Sequence, residues 1–162
     1  MAKTNVETIN PPNPLFKALN GSGPVKIDPR VLEAAEAAVT GLEADYRDWA
    51  QQDIDALRSL MDEIRAAPDD TQAKLKEIYR HALDMKGQGG GFGYDLITAI
   101  GDLLTKFIDG KTGLTARDLE IVTAHIDAMQ AVIRGDIKGN GGKVGSEIVA
   151  GLRSIVLKPA AA

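Results

Sequence analysis

The chain has two histidines, His81 and His125. Imidazole is the side chain best suited to move a proton, bind a metal or accept a phosphoryl group near neutral pH. His81 opens the stretch "RHALDMKGQGGGFGYDL", residues 80–96, in which Lys86 is followed by glycine at 87, 89, 90, 91 and 93. A lysine near an imidazole favours the charge of a phosphoryl group. Glycines beside it can cradle a nucleotide phosphate, turn the chain, or let another protein's backbone come close. A nucleotide loop follows a strand, opens a helix and carries its lysine after the glycines, followed by Ser or Thr. Here the run follows a helical pattern and Lys86 precedes it, so nucleotide binding is not expected. A turn between two helices needs positive φ at one glycine, and five glycines exceed that need. Small residues at a helix end also let another protein's backbone come close.

Other chemistries are narrowed by composition. There is no cysteine, which removes disulfides, thiolate nucleophiles and Cys-ligated zinc together. Neither histidine belongs to a Glu-x-x-His pattern, so no metal and no other cofactor is expected. A formal net charge of −4 and a pI near 5.2 argue against a nucleic-acid footprint. Hydrophobic residues at 44% and charged residues at 26% fit a globular domain. No apolar run reaches the roughly 18 residues of a membrane span. "MAKTNVETIN" has no apolar centre of the kind a secretory signal carries. The expected setting is cytoplasmic, with no membrane partner.

The elements that must position these residues read as helices. Residues 1–28, rich in Pro, Asn and Gly, read as an extended arm pinned by Leu15, Phe16 and Leu19. Asp28-Pro29 is a helix start, since Asp caps free amides and Pro suits the first helical position. The pattern then stays helical to residue 67, where Pro68 ends it. Leu32, Ala35, Val39, Leu42, Tyr46 and Trp49 form one inward stripe. Ile54, Leu57, Met61 and Ile64 form a second after a phase shift, with a bend or break expected near Gly41. Residues 70–89 form the next helix, capped by Asp69 or Asp70, with Leu75, Ile78, Ala82 and Met85 inward. A helix over 94–109 buries Leu96, Ile97, Ile100, Leu103, Leu104 and Phe107. One over 115–135 starts at a capping-box pair, Thr115 and Asp118, and buries Leu119, Val122, Ile126, Met129 and Ile133. "DIKGNGGK" is a loop, and a short helix over 144–157 buries Ile148, Leu152 and Ile155. No segment alternates with period two. The expected fold is all-α: an antiparallel four-helix bundle over residues 29–158, with the short C-terminal helix added and a flexible tail at 159–162.

"LDMKGQGGGFGYDLIT" resembles the signature of histidine-containing phosphotransfer (HPt) domains of bacterial two-component signalling. That signature reads His-x-x-Lys-Gly, then small residues, then a hydrophobic residue and Gly. Lys86, Gly87, Phe92 and Gly93 match it. A stand-alone subgroup is more similar still, with "KGQGGxFGYPLxT", an upstream "PPN" (here Pro11, Pro12, Asn13), and a late His-x-Asp-Ala (here His125, Asp127, Ala128) before a glycine-rich loop at 139–142. The resemblance implies a helical bundle and a partner that is a response-regulator receiver domain or a histidine kinase. It also implies a phosphoaccepting histidine three residues before Lys86. That position is Leu83.

At about 100° per residue, Leu83 and Lys86 lie roughly 60° apart on one helical face, whereas His81 lies roughly 160° from Leu83 and roughly 140° from Lys86. His81 is therefore expected to face away from the lysine and the glycines. Two readings of His81 remain: a surface or groove residue without a chemical task, or an alternative phosphoacceptor. Leu83 is either a flank residue of the core or an apolar anchor on a docking surface that has lost its acceptor. His125 is expected to bond a neighbouring helix or face the loop. Trp49 is expected in the core. Charged residues such as Asp53 and Arg58 are expected on a solvated face with local pairs. The site anticipated is a patch of Leu83, Lys86, Gly87, Gln88 and Gly90. The anticipated function is a pseudo-HPt that binds its partner without carrying phosphate, with no enzyme activity. The alternatives are an active carrier using His81 and a purely structural or oligomerising bundle.

Overall fold

The computed structural model describes residues 28–157, and every regular element in that range is helical. There are five α-helices: α1 (Pro29–Ala66), α2 (Thr71–Gly89), α3 (Asp95–Ile108), α4 (Ala116–Arg134) and α5 (Gly142–Leu157). Short 3-10 turns at Pro68–Asp70 and Gly90–Phe92 join α1 to α2 and α2 to α3. The arm up to residue 27, with Leu15, Phe16 and Leu19, and the tail lie outside the described residues. No helix among the described residues is long and apolar enough to cross a membrane.

Contacts divide the chain into a unit ending at Val39 and a unit beginning at Thr40. In the first, Asp28 Oδ1 accepts from the Arg30 amide at 2.9 Å, the expected start of α1. Its stripe residues Leu32, Ala35 and Val39 are exposed, not inward as the spacing suggested. α1 runs as one helix through Gly41, without the break expected there.

The second unit holds the core. From α1 it takes Tyr46, Ala50, Ile54, Leu57, Met61 and Ile64, a clean three- and four-residue spacing. Trp49 and Leu42 are about half exposed, at 46% and 50%, which corrects their expected burial. For Trp49 the reason is phase: one position before Ala50, it points about 100° away from the stripe. Leu42 keeps the four-residue spacing from Tyr46, but the buried stripe of α1 begins at Tyr46. The apolar stripes of α2, α3 and α4 are buried as their spacing required, with Leu103, Phe107 and Leu119 at the edge. Full burial of each large aliphatic side chain stabilises the fold by about 1.5–3 kcal/mol.

Helix starts and pairings follow local chemistry. At α4, Thr115 Oγ1 accepts from the Asp118 amide and Asp118 accepts from the Thr115 amide, completing the capping box. At α2 the Asp70 carboxylate caps no backbone amide; it accepts instead from Lys74 Nζ at 2.9 Å, and the helix grows out of the Pro68 turn. Arg58 reaches Asp127 at 2.6 Å, and Arg65 reaches Thr123 at 2.8 Å, so residue numbers rise along α1 and fall along α4. Between α2 and α3, a Cβ on Gly89 would meet Ile97 and Thr98, and one on Gly101 would meet Lys86 and Ala82. Here too the two chains run in opposite senses. Helix α5 packs on α3 and α4 through Leu152 and the edge residues Ile148, Val149 and Ile155.

Candidate functional site

The α2–α3 connection sorts the glycines by what the fold demands of each. Gly89 is buried, and a methyl there would lie 3.0 Å from both Tyr94 O and Thr98 Oγ1. Gly93 has φ of +76°, which favours glycine. Thr98 Oγ1 donates to Lys86 O at 3.0 Å and accepts from the Gly90 amide at 2.9 Å, tying α3 to the end of α2. Gly87 and Gly91 are different: both are exposed, and a Cβ on either would touch nothing within 4 Å. Nothing in the described fold requires glycine at these two positions.

The second glycine-rich loop closes on the first. Gly139 N donates to Gly93 O at 2.6 Å, and Leu96 N donates to Gly139 O at 2.9 Å. The Tyr94 hydroxyl donates to Asp136 at 2.5 Å, and the Lys138 ammonium lies 4.0 Å from the centre of the Tyr94 ring. The bond from Tyr94 holds the Asp136 carboxyl below its ordinary range, with Lys138 and Arg47 adding to it. Sequence spacing alone gave no sign of this junction, since its halves lie some forty residues apart.

Leu83 lies on the outer flank of α2 and is 43% exposed. Tyr79, Leu83 and Gly87 form an i, i+4 row on the helix surface, and all are exposed. Lys86 lies beside this row, its ammonium 2.8 Å from Asp102 Oδ1, while Lys106 holds Asp102 Oδ2 at 2.7 Å. Hydrogen bonds from Lys106 and Lys86 hold the Asp102 carboxyl below its ordinary range. Two ammoniums thus share one carboxylate, and the cluster keeps a net positive charge next to Leu83. Gly90 is exposed at the end of the helix.

Gln88 parts from the other anticipated site residues. It lines a groove with Asp84, Trp49, Gln52, Asp53 and Phe92 on the α1 side of α2. The cause is again helical phase: Gln88 lies roughly 140° from Leu83 but only about 20° from His81.

His81 belongs to that same side. Its Nδ1 is 2.7 Å from Asp53 Oδ1 of α1, and its Nε2 is 3.0 Å from Arg80 Nη2. A neutral ring with Nδ1–H donating to the carboxylate and Nε2 accepting from the guanidinium satisfies both contacts. The side chain is only 15% exposed. Both nitrogens are therefore engaged, and neither faces Lys86, which is turned to α3. Asp53 and Arg58, expected to form local surface pairs, instead bridge α1 to α2 and to α4.

His125 is fully buried. Its Nδ1 donates to Ile121 O at 2.8 Å within α4 and its ring lies parallel to Phe107, so the expected bond to another helix or the loop is not formed. Nε2 has no partner among the described residues. Desolvation pushes its pKa below the ordinary value, which keeps the ring neutral. Among the described residues no group of three His, Cys, Asp or Glu could hold a metal ion.

An aromatic cluster joins α1 to the connection. The Tyr46 ring stacks on Phe92 at 4.5 Å, with Tyr94 at 5.4 Å, and Trp49 meets Phe92 edge-on at 6.5 Å. The buried Tyr46 hydroxyl has no hydrogen-bond partner among the described residues. Its pKa is pushed up to about 12, mainly by desolvation and further by Tyr94 and Asp53. The usable signal in the sequence was the phase shift in α1, which leaves Trp49 beside the core stripe.

No family model, curated protein or solved structure matches this chain.

Proposed function

We propose that the chain is an HPt-like signalling protein that docks a response-regulator receiver domain, or a histidine kinase, without itself carrying phosphate. The observation that carries this reading is the surface around Leu83. It stands where the HPt signature has its phosphoacceptor, is exposed, and is followed one turn later by Gly87, a glycine that the fold does not require. A glycine inside a helix costs about 0.5–1 kcal/mol relative to alanine. Tolerating that loss on an exposed face makes sense where a partner's backbone must approach closely. Tyr79 and Leu83 supply an apolar anchor, and the Lys86–Asp102–Lys106 cluster supplies positive charge beside it. In this reading α1 to α4 form the antiparallel four-helix bundle of the family, with α5 as an addition. The opposed α1/α4 and α2/α3 pairings support that arrangement. A cytoplasmic setting belongs to the same proposal.

The alternative of a carrier using His81 is the weaker reading, because Asp53 and Arg80 occupy its two nitrogens and Lys86 is turned to α3. A purely structural bundle leaves the exposed Tyr79 and Leu83 row beside Gly87 uncovered, although open glycines also occur at Gly41 and Gly151.

The test is binding of the full chain to a panel of receiver domains and kinase cores, followed by Leu83→Glu. A carboxylate placed in the apolar row should weaken capture at least about tenfold, or about 1.4 kcal/mol. His81→Ala should leave it unchanged. Binding that survives Leu83→Glu places the surface elsewhere. No binding to any member of the panel favours the structural bundle.

A further inference from the structure

On the other flank of α2, Trp49, Gln52 and Asp53 of α1, Asp84 and Gln88 of α2, and Phe92 line an open groove of about 530 Å³. We propose that this groove receives an arginine side chain of a protein partner, held by its guanidinium group.

Charge is the first argument. Both charged residues that line the groove are acidic. Each has one carboxylate oxygen engaged by a residue beside the groove: Asp53 Oδ1 by His81 at 2.7 Å, and Asp84 Oδ2 by Arg80 at 3.3 Å. Among the described residues Asp53 Oδ2 and Asp84 Oδ1 have no hydrogen-bond partner. The two glutamine amides add neutral acceptors to the same walls. The site therefore offers acceptors with spare lone pairs and a net negative charge.

Shape is the second. Trp49 and Phe92 meet at 81°, so the indole and the phenyl ring form a corner. Phe92 is backed by the stacked Tyr46 ring, which is buried. The corner thus rests on the core, while Trp49 itself stays 46% exposed. Aromatic faces attract cations, and among the aromatic side chains tryptophan does so best.

Together these features select among cations. A quaternary ammonium has no N–H to give to two carboxylates and two amides. A lysine ammonium has three donors but no flat face to lie on an indole. A guanidinium is planar, stacks on aromatic rings, and carries five donors in a fork that fits carboxylate oxygens. The groove lies on the α1 side of α2, away from Leu83, so this contact is independent of the docking surface proposed above.

Trp49 is the only tryptophan in the chain, so all indole emission comes from a residue that lines this groove. The full chain is titrated at constant ionic strength with N-acetyl-arginine methylamide, with the lysine analogue and tetramethylammonium chloride in parallel arms. The expected result is a saturable change in Trp49 emission with the arginine probe. Half-saturation should need at least about tenfold more of the lysine analogue, and at least about tenfold more arginine probe for Asp84→Asn. Gln88→Glu, which adds a carboxylate to the same wall, should tighten binding. The proposal is overturned by the absence of a saturable change, by equal binding of the lysine analogue, by tighter binding of tetramethylammonium, or by an Asp84→Asn response equal to that of the native chain.

Discussion

Gly87 and His125 are single residues whose roles can be separated by what surrounds them. Gly87 sits in the last turns of α2 with open space around its missing Cβ. Gly87→Ala should therefore stabilise the fold by about 0.5–1 kcal/mol in denaturant unfolding, while weakening capture of the partner. Unchanged stability with unchanged binding would remove Gly87 from the proposed docking surface. His125 is buried and neutral, with its pKa below the ordinary 6.5 because of desolvation. The unfolded chain takes up a proton at about its ordinary pKa, and the folded chain only at lower pH. Between those values the unfolded state holds more protons, so stability rises with pH. It is complete above about pH 6.5 and declines as pH falls below that. His125→Leu should remove this slope in melts recorded from pH 8 to pH 5. Asp102, held below its ordinary 3.8 by Lys106 and Lys86, acts in a lower window: its contribution is lost only as pH falls below that value. Neither environment could be read from the residue alone. His125 differs from an exposed histidine only through Phe107 and the core beneath it.

At the scale of the helices, close approach of α2 and α3 is set by Gly101. A Cβ there would lie 2.9 Å from Lys86 Cβ and 3.0 Å from Ala82 O. Gly101→Ala should push the helices apart and destabilise the fold by about 1–3 kcal/mol, the opposite sign to the same change at Gly87. Paired urea titrations of the two variants check both. Helix existence and inward stripes were legible in the sequence for α2, α3 and α4, because one face of each is buried and the apolar period follows from that. The α4 capping box was legible for the same kind of reason, since Thr115 and Asp118 act within one turn. α1 misled. Its apolar residues at 32, 35, 39, 42, 46 and 49 have helical spacing, yet Leu32, Val39, Leu42 and Trp49 are about half exposed. Periodicity records which residues share a face, not whether anything covers that face.

For the molecule as a whole, the sequence shows two faces of α2 and the structure shows what each one meets. Helical phase separated His81 from Leu83 and Lys86, and the neighbours bear the separation out: His81 turns to Asp53 of α1, Lys86 to Asp102 of α3. Gln88 was assigned to the wrong side, because a contiguous motif in sequence wraps around a helix in space. The joining of residues 93–96 to 136–139 was not legible, since it depends on a backbone bond between two glycines far apart in the chain. In the proposed function, the scaffold at Leu83 can present a phosphoacceptor that the native chain lacks. Intact-mass measurement after incubation with a phosphorylated receiver domain that the chain binds tests this most directly. Leu83→His should gain an acid-labile adduct of about 80 Da, the mass of one phosphoryl group on the new imidazole, and should keep it when His81→Ala is added. The native chain should gain nothing. An adduct on the native chain that disappears in His81→Ala would make His81 the acceptor and overturn the proposed function.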